Sequence, residues 1–286
     1  MKVFEEFAGE VIKHAIQEQE SSSSIYYEEL IRTGVTVLPS GFTEEQINRL
    51  KDKVKLVYQK QILEIDQESL ALIGDENVVR SLLEYDSTFL DLVFEANLIN
   101  FVQEIFKGLF VLIYQNGVFN YPEQNKQELY KWHRDLNYQH WVASKPLAIN
   151  ALLCLDHFDE HTGGTEFLPN SHMFEKFPSN QFVIRNKTQV KAKPGDWIVM
   201  NSMLFHKTGV NNTSNPRFGV NQMFAVPFVN QYISLGNHFT HNKLSKYIDS
   251  YGEDFVGAVL GETWKSADSA YDWRMNKINK VLGSNK

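Results

Sequence analysis

A single cysteine, Cys154, stands among 286 residues, so no disulfide can close within the chain, and packing rather than covalent staples must hold the fold. No apolar run approaches the roughly 18 to 20 residues that span a bilayer, which argues against a membrane role. The N-terminus lacks the basic, then apolar, then small-residue pattern of a secretory leader. A reducing, cytoplasmic setting is therefore expected. Clustered basic charge is missing too: the formal net charge is −7, and Lys and Arg are interspersed with acids, as in "RLKDKVKLVYQK" (49–60). Nucleic-acid binding needs dense cations to displace counterions. With neither nucleic acid nor membrane favoured, the expected partner is a small molecule. There is no internal repeat, and the only low-complexity patch, "SSSS" (21–24), reads as a loop or hinge. Nothing in the sequence specifies an oligomeric state.

What is present changes character along the chain. Residues 2–20, 43–70 and 87–107 carry apolar residues at helical spacing, such as Ile47, Leu50, Val54 and Val57, and Thr43 with Gln46 makes a capping-type start. A short strand is expected in "GVTVLPS" (34–40). From residue 109 short apolar or alternating runs are punctuated by Gly, Pro and Asn: "LFVLIYQNGVFNYP", "LAINALLCLD", "QFVIR", "QVKAKPGDWIVMN", "LFHKTGV" and "RFGVNQMFAVPFV". That texture predicts an antiparallel sandwich, barrel or jelly roll. After residue 240 helical patterning returns. The expectation is one α+β domain with a mainly β core: residues 1–108 mostly helical, 109–230 the β core, 231–286 helical.

The chemistry begins at "KWHRDLNYQHW" (131–141). Side chains at i and i+2 of a strand share a face, so His133 and Asp135 project together while Arg134 points away. A lone H-x-D is a common strand end. His206 changes its meaning, because it lies in strand context after a Pro-Gly-Asp turn in "PGDWIVMNSMLFHKTGVNNTSNPRFGV". Two histidines and one carboxylate form the facial triad of non-haem Fe(II) oxygenases, leaving positions for an oxidisable co-substrate and O2. Structural zinc would want four ligands and more sulfur. Arg217, 11 residues after His206, brings a fork that matches a carboxylate bidentately, and Thr208 can add a hydroxyl on the His206 face. Asn221, four residues beyond Arg217, shares its strand face.

Together these motifs resemble the phytanoyl-CoA dioxygenase family of Fe(II)- and 2-oxoglutarate-dependent oxygenases, over about residues 109–229. "WHRD" is similar to the family's H-x-D, "GGTEFLPNSH" (163–172) to its Gly-rich segment, and "PGDWIVMNSMLFHKTGVNNTSNPR" to its distal half. The resemblance implies a double-stranded β-helix, a cupin-like jelly roll with helices packed outside. It implies His133, Asp135 and His206 as iron ligands, with Arg217 and Thr208 holding the 2-oxoglutarate carboxylate. It also makes Asn116 and Asn120, or Gln115 if the register slips, candidate 2-oxoglutarate contacts, although Asn116-Gly117 is in its own right a turn signal. The implied activity is oxidation, most simply hydroxylation, coupled to conversion of 2-oxoglutarate and O2 into succinate and CO2. Family members act on acyl-CoA thioesters, amino-acid derivatives, sugars and natural products. Because no basic patch awaits CoA phosphates, a small polar metabolite is the expected substrate. Asn137, Tyr138, Trp141 and Asn221 are candidate substrate contacts, with Trp132 beside them, and Tyr247, Tyr251 and Trp264 a candidate lid. His172 braces a loop on this reading, while His140, His157 and His161 are solvated. The alternatives are a cupin-like metal-dependent isomerase without 2-oxoglutarate and a non-catalytic jelly-roll binding protein.

Overall fold

The computed structural model describes residues 24–122, 131–136, 142–264 and 266–283. The expected helix at 2–20 and residues 21–23 of the serine run lie outside these; Ser24 opens the helix Ser24–Thr33. Among the described residues nine strands follow in chain order: β1 (Val35–Pro39), β2 (Val78–Val79), β3 (Val111–Asn120), β4 (Ala148–Cys154), β5 (Glu166–Phe167), β6 (Thr188–Gln189), β7 (Asp196–Asn201), β8 (His206–Lys207) and β9 (Arg217–Ala225). They form a six-stranded antiparallel sheet, β1-β7-β4-β9-β3-β2, and a three-stranded one, β6-β5-β8. The inner face of the large sheet meets the small sheet, with Leu152, Ile198 and Met200 packed in one cluster with Phe167, Val190 and Leu204. This is the expected double-stranded β-helix.

The outer face of the large sheet is covered by helices. Side chains alternate along a strand, and on β9 Phe218, Val220 and Phe224 turn outward into a core shared with Leu50, Val54 and Val57 of the helix Glu44–Ile65 and Leu98 and Val102 of the helix Ala96–Phe106. The capping box of Thr43 and Gln46 starts the first of these: Thr43 N–H donates to Gln46 Oε1 at 2.8 Å, and Gln46 N–H to Thr43 Oγ1 at 3.3 Å. Both faces of β4 and β7 are thus buried from end to end. Asn116-Gly117 does not turn; β3 runs straight through it, with Asn116 opposite Asn221 and Gly117 opposite Val220. The glycine is required by close packing, since a Cβ there would stand 2.8 Å from Val54 Cγ1.

Other departures from the sequence reading have local causes. "QFVIR" forms the helix Asn180–Asn186, started by Ser179, whose Oγ accepts from Phe182 N–H; a side-chain cap outweighs the β-prone run. The pattern at 87–107 breaks into a 3-10 turn, the short helix Leu90–Val93 and Ala96–Phe106. There the amides of Gln115 and Gln222, on the outer sheet face, donate to the carbonyls of Phe89 and Leu92 at 3.0 and 2.9 Å. The C-terminal pattern divides into His241–Tyr251 and Glu253–Val259 at Gly252, with Ala270–Gly283 beyond. Among the described residues no helix is long and apolar enough to cross a membrane.

Candidate functional site

The H-x-D segment is sewn to the strand that carries the second histidine. His133 and His206 form an antiparallel bridge, each N–H donating to the other's carbonyl at 3.0 and 3.1 Å, and Asp135 N–H donates to Ser202 O at 3.0 Å. Arg134, between the ligand candidates, points the other way: its guanidinium stacks 3.8 Å over the Phe205 ring and donates to the carbonyls of Ser171, Phe174 and Glu175. The alternation inferred from the sequence holds, and the buried arginine anchors the pair from behind.

In front, the donor atoms of His133, Asp135 and His206 lie within 4.8 Å of one another. His133 Nε2 is 3.5 Å from Asp135 Oδ1, and His206 Nε2 is 3.6 Å from Oδ2. Both rings are oriented alike by the backbone. His133 Nδ1 lies 2.9 Å from Lys131 O and His206 Nδ1 3.0 Å from Leu204 O; a carbonyl can only accept, so Nδ1 carries the hydrogen and the Nε2 lone pair is presented to the cluster. Two donors each about 2.1 Å from one ion stand about 3 Å apart in cis positions. The donor set therefore fits one divalent cation with only a small closure. Its chemistry, two imidazoles and a carboxylate without sulfur, suits iron.

Burial opposes charge on all three groups, and their mutual placement decides the outcome. For Asp135 burial acts upward, but His206 and His133 outweigh it and hold the carboxyl below its ordinary value. Burial pushes the His206 imidazole down, keeping it neutral. Burial acts the same way on His133, but the adjoining Asp135 carboxylate prevails and raises it.

The triad opens into two lobes. The larger, about 900 Å³, is lined by His133, Asp135, His206, Thr165, Thr208 and Arg217 among others. Arg217 opens β9, is buried, and stacks its guanidinium 3.8 Å over the fully buried Phe158 ring. Thr208 follows β8, and the β5–β8 register, Glu166 opposite Lys207, carries on to set Thr165 opposite it. Glycines permit that approach: Gly163 has φ +74°, and a Cβ on it would stand 2.4 Å from Gly209 O. Asn120 belongs to this scaffold. Its amide donates to Gly209 O at 3.0 Å and to the carbonyls of Thr162 and Gly163, so it shapes the loop and does not line either lobe as the sequence reading had expected. Gln115 is likewise committed outward to Phe89 O and to Gln222 Oε1.

The smaller lobe, about 360 Å³, shares His133, Asp135 and Asn221 with the larger and adds Arg80, Tyr114, Asn116 and Tyr232. Asn116 lines it, with Oδ1 accepting from Ser81 N–H at 3.0 Å. Asn221 meets Asn150, whose amide donates to it at 3.4 Å and to the Tyr114 hydroxyl at 2.8 Å. Burial, then the charge of Asp135, pushes the Tyr114 phenol far up, so it stays protonated.

The remaining candidates lie away from the two lobes or outside the described residues. Tyr247 and Tyr251 are no lid: both stack on Phe94 in the outer core, and Tyr247 donates to Asp91 Oδ1 at 2.7 Å. Asn137, Tyr138, His140, Trp141 and the Trp264 side chain lie outside the described residues. Trp132 is half-buried beside Phe177, with the Lys207 ammonium 5.7 Å over its ring. His172 is a brace, as expected, its Nε2 bonding Ile31 O at 3.0 Å, and His157 and His161 are exposed. Sequence reasoning missed Thr165, Arg80, Tyr114 and Tyr232. Thr165 and Tyr114 sat inside quoted motifs, but Arg80 and Tyr232 carry no local signal.

A jelly roll with a two-histidine, one-carboxylate donor cluster beside a buried arginine defines a non-haem metalloenzyme class. The chain belongs to the phytanoyl-CoA dioxygenase (PhyH) family, whose profile matches residues 30–219. The same fold occurs in SnoN, a non-haem alpha-ketoglutarate-dependent epimerase from nogalamycin biosynthesis, at TM-score 0.54 and 13% identity over 72% of this chain and 83% of that one. It occurs also in HygX of Streptomyces hygroscopicus, solved with nickel and 2-oxoglutarate bound, at TM-score 0.55 and 16% identity over 73% and 88%. AviO1 from Streptomyces viridochromogenes Tue57 matches at 0.54 and 20% over 73% and 96%. The uncharacterized protein Rv1501 of Mycobacterium tuberculosis is 30% identical over 86 residues, 30% of this chain. That match spans only 32% of the relative's length.

Proposed function

We propose that the chain is an Fe(II)- and 2-oxoglutarate-dependent oxygenase that hydroxylates a small polar metabolite with release of succinate and CO2. The observation that carries this reading is the His133, Asp135 and His206 donor cluster within 4.8 Å, opening into the cavity that also contains Arg217. Solved neighbours of the same fold hold iron with alpha-ketoglutarate, or nickel with 2-oxoglutarate, which supports the same pair here.

In this reading His133 and His206 offer their Nε2 lone pairs, His133 losing on metal binding the proton that Asp135 favours, and Asp135 its carboxylate. When bound, the iron supplies oxidation of the substrate by O2 at the expense of 2-oxoglutarate, chemistry that no side chain can perform. The protein's part is binding, orientation and exclusion of water. Arg217, held flat against Phe158, takes the distal carboxylate of 2-oxoglutarate with its fork, and Thr208 donates a hydroxyl. Asn221, at the junction of the lobes, faces the substrate. An isomerase that did without 2-oxoglutarate would have no use for a buried, stacked arginine in the metal cavity.

The test is an anaerobic titration with Fe(II) and 2-oxoglutarate. A charge-transfer absorption band of the chelate is expected in the wild type and none in Asp135→Ala; its absence from the wild type would sink the cofactor assignment. Incorporation of an oxygen atom from O2 into the product would then distinguish hydroxylation from an epimerase outcome such as SnoN's.

A further inference from the structure

The smaller lobe contains a second arginine, and its setting is built. Asp75 engages one edge of the Arg80 fork, Oδ2 accepting from Nε at 2.7 Å and Oδ1 from Nη2 at 2.5 Å. The Nη1 edge of the fork is not used by that pair. Within the pair the carboxylate is the covered partner: the Asp75 side chain is 12% exposed and that of Arg80 53%. The accessible part of the ion pair is therefore the guanidinium, at a lobe that His133 and Asp135 also line.

The backbone of Arg80 is clamped as well. The buried Gln61 of the helix Glu44–Ile65 accepts from its N–H at 3.1 Å and donates to its carbonyl at 2.6 Å. The next N–H, of Ser81, is taken by Asn116. A long side chain held by its backbone and by one edge of its fork has little rotamer freedom left to lose on meeting a ligand. Tyr232 and Tyr114 flank it. Because the Tyr114 oxygen accepts from Asn150, its own hydrogen is available for donation into the lobe.

We infer that the smaller lobe is the substrate subsite and that Arg80 anchors an oxyanion of the substrate, a carboxylate or phosphate monoester, in the lobe that His133 and Asp135 also line. The inference rests on the reading of the site proposed above and narrows the substrate to a compact anionic metabolite. A volume of about 360 Å³ is near the lower end for small-molecule pockets, so the part of the substrate held beside Arg80 is compact.

The test uses the full chain, with Fe(II) and saturating 2-oxoglutarate under anaerobic conditions so that Arg217 is occupied. Binding of benzoate, phenyl phosphate and the neutral isostere benzamide is measured by calorimetry and thermal shift. At least one oxyanion is expected to bind about tenfold tighter than benzamide, the scale of a charge-assisted contact. Arg80→Gln should reduce that preference to within about twofold while leaving the 2-oxoglutarate chelate band unchanged, since the charged partner alone is removed. Arg80→Lys, which keeps the charge without the fork and guards against a folding defect, should retain only part of the preference. No preference in the wild type, or an undiminished one in Arg80→Gln or Arg80→Lys, overturns the inference. Failure of the cofactor reading registers separately, as a missing chelate band, and the thermal-shift arm can be repeated without metal.

Discussion

The two faces of β9 carry different burdens although they alternate residue by residue. Outward, Phe218, Val220 and Phe224 pack with the helical layer. Inward, Arg217 and Asn221 line the cavity. Where the outer face of β9 carries a polar side chain, Gln222, its amide and that of Gln115 on neighbouring β3 satisfy carbonyls of the broken helix run. The inner face spends its polar residues on a cavity open to ligands. Stability and chemistry are thus separated by the period of two of a single strand, and substitutions should sort by parity.

The largest expected effect is on the inner side. Asp135→Ala should weaken Fe(II) affinity by at least about 100-fold, as first ligands matter more than the outer partners that already cost 10–100-fold; anaerobic metal titration with circular dichroism as a folding check measures it. A variant that kept its metal would break the comparison. Next comes the outer face: Phe224→Ala should cost about 3–5 kcal/mol of stability, from lost burial and the cavity left behind. Denaturant unfolding reads this, and the surviving folded fraction should bind Fe(II) as before. Arg217→Met should raise the 2-oxoglutarate dissociation constant by about two orders of magnitude, a loss of about 3 kcal/mol for a buried charged contact, with the unfolding midpoint moving little. Gly117→Ala tests the seam: a Cβ 2.8 Å from Val54 Cγ1 should cost about 1–3 kcal/mol through overpacking.

The smallest effect is pH-dependent. His172 is buried with Nε2 bonded to Ile31 O, and burial first, with Arg134 adding to it, holds its ring below the ordinary histidine value. The unfolded chain therefore binds the proton more readily than the folded one, and stability should rise with pH through this group. It should be fully present above the unfolded value of about 6.5 and decline as pH falls below it towards the depressed folded value. His172→Gln should flatten that slope, visible as a smaller change in thermal midpoint between neutral and mildly acid buffer.

Much of the fold was legible because it rests on local periodicity. Strand β1, the long strands β3, β4, β7 and β9, and the capped helix from Glu44 all announce themselves in apolar spacing and turn residues. The strands β5, β6 and β8 have two residues each, too few for a pattern, so the small sheet exists only through its pairing partners. "QFVIR" misled because its run is β-prone while its cap, Ser179, lies outside it. Asn120 and Gln115 misled because the side-chain amide that suits a ligand carboxylate also suits a backbone carbonyl, and only packing decides which it meets.

The sequence by itself determined the donor set: an H-x-D at a strand end, a later strand histidine, and an arginine 11 residues beyond it, each readable from spacing and residue chemistry. Tertiary structure alone decided what that set opens onto. Arg80 lies 53 residues before His133, and Tyr232 lies 99 after it. They share one lobe because the Glu44–Ile65 helix clamps Arg80 through Gln61 and because β3 lies beside β9. Contacts at such separations leave no periodic trace along the chain, since they depend on how whole elements dock.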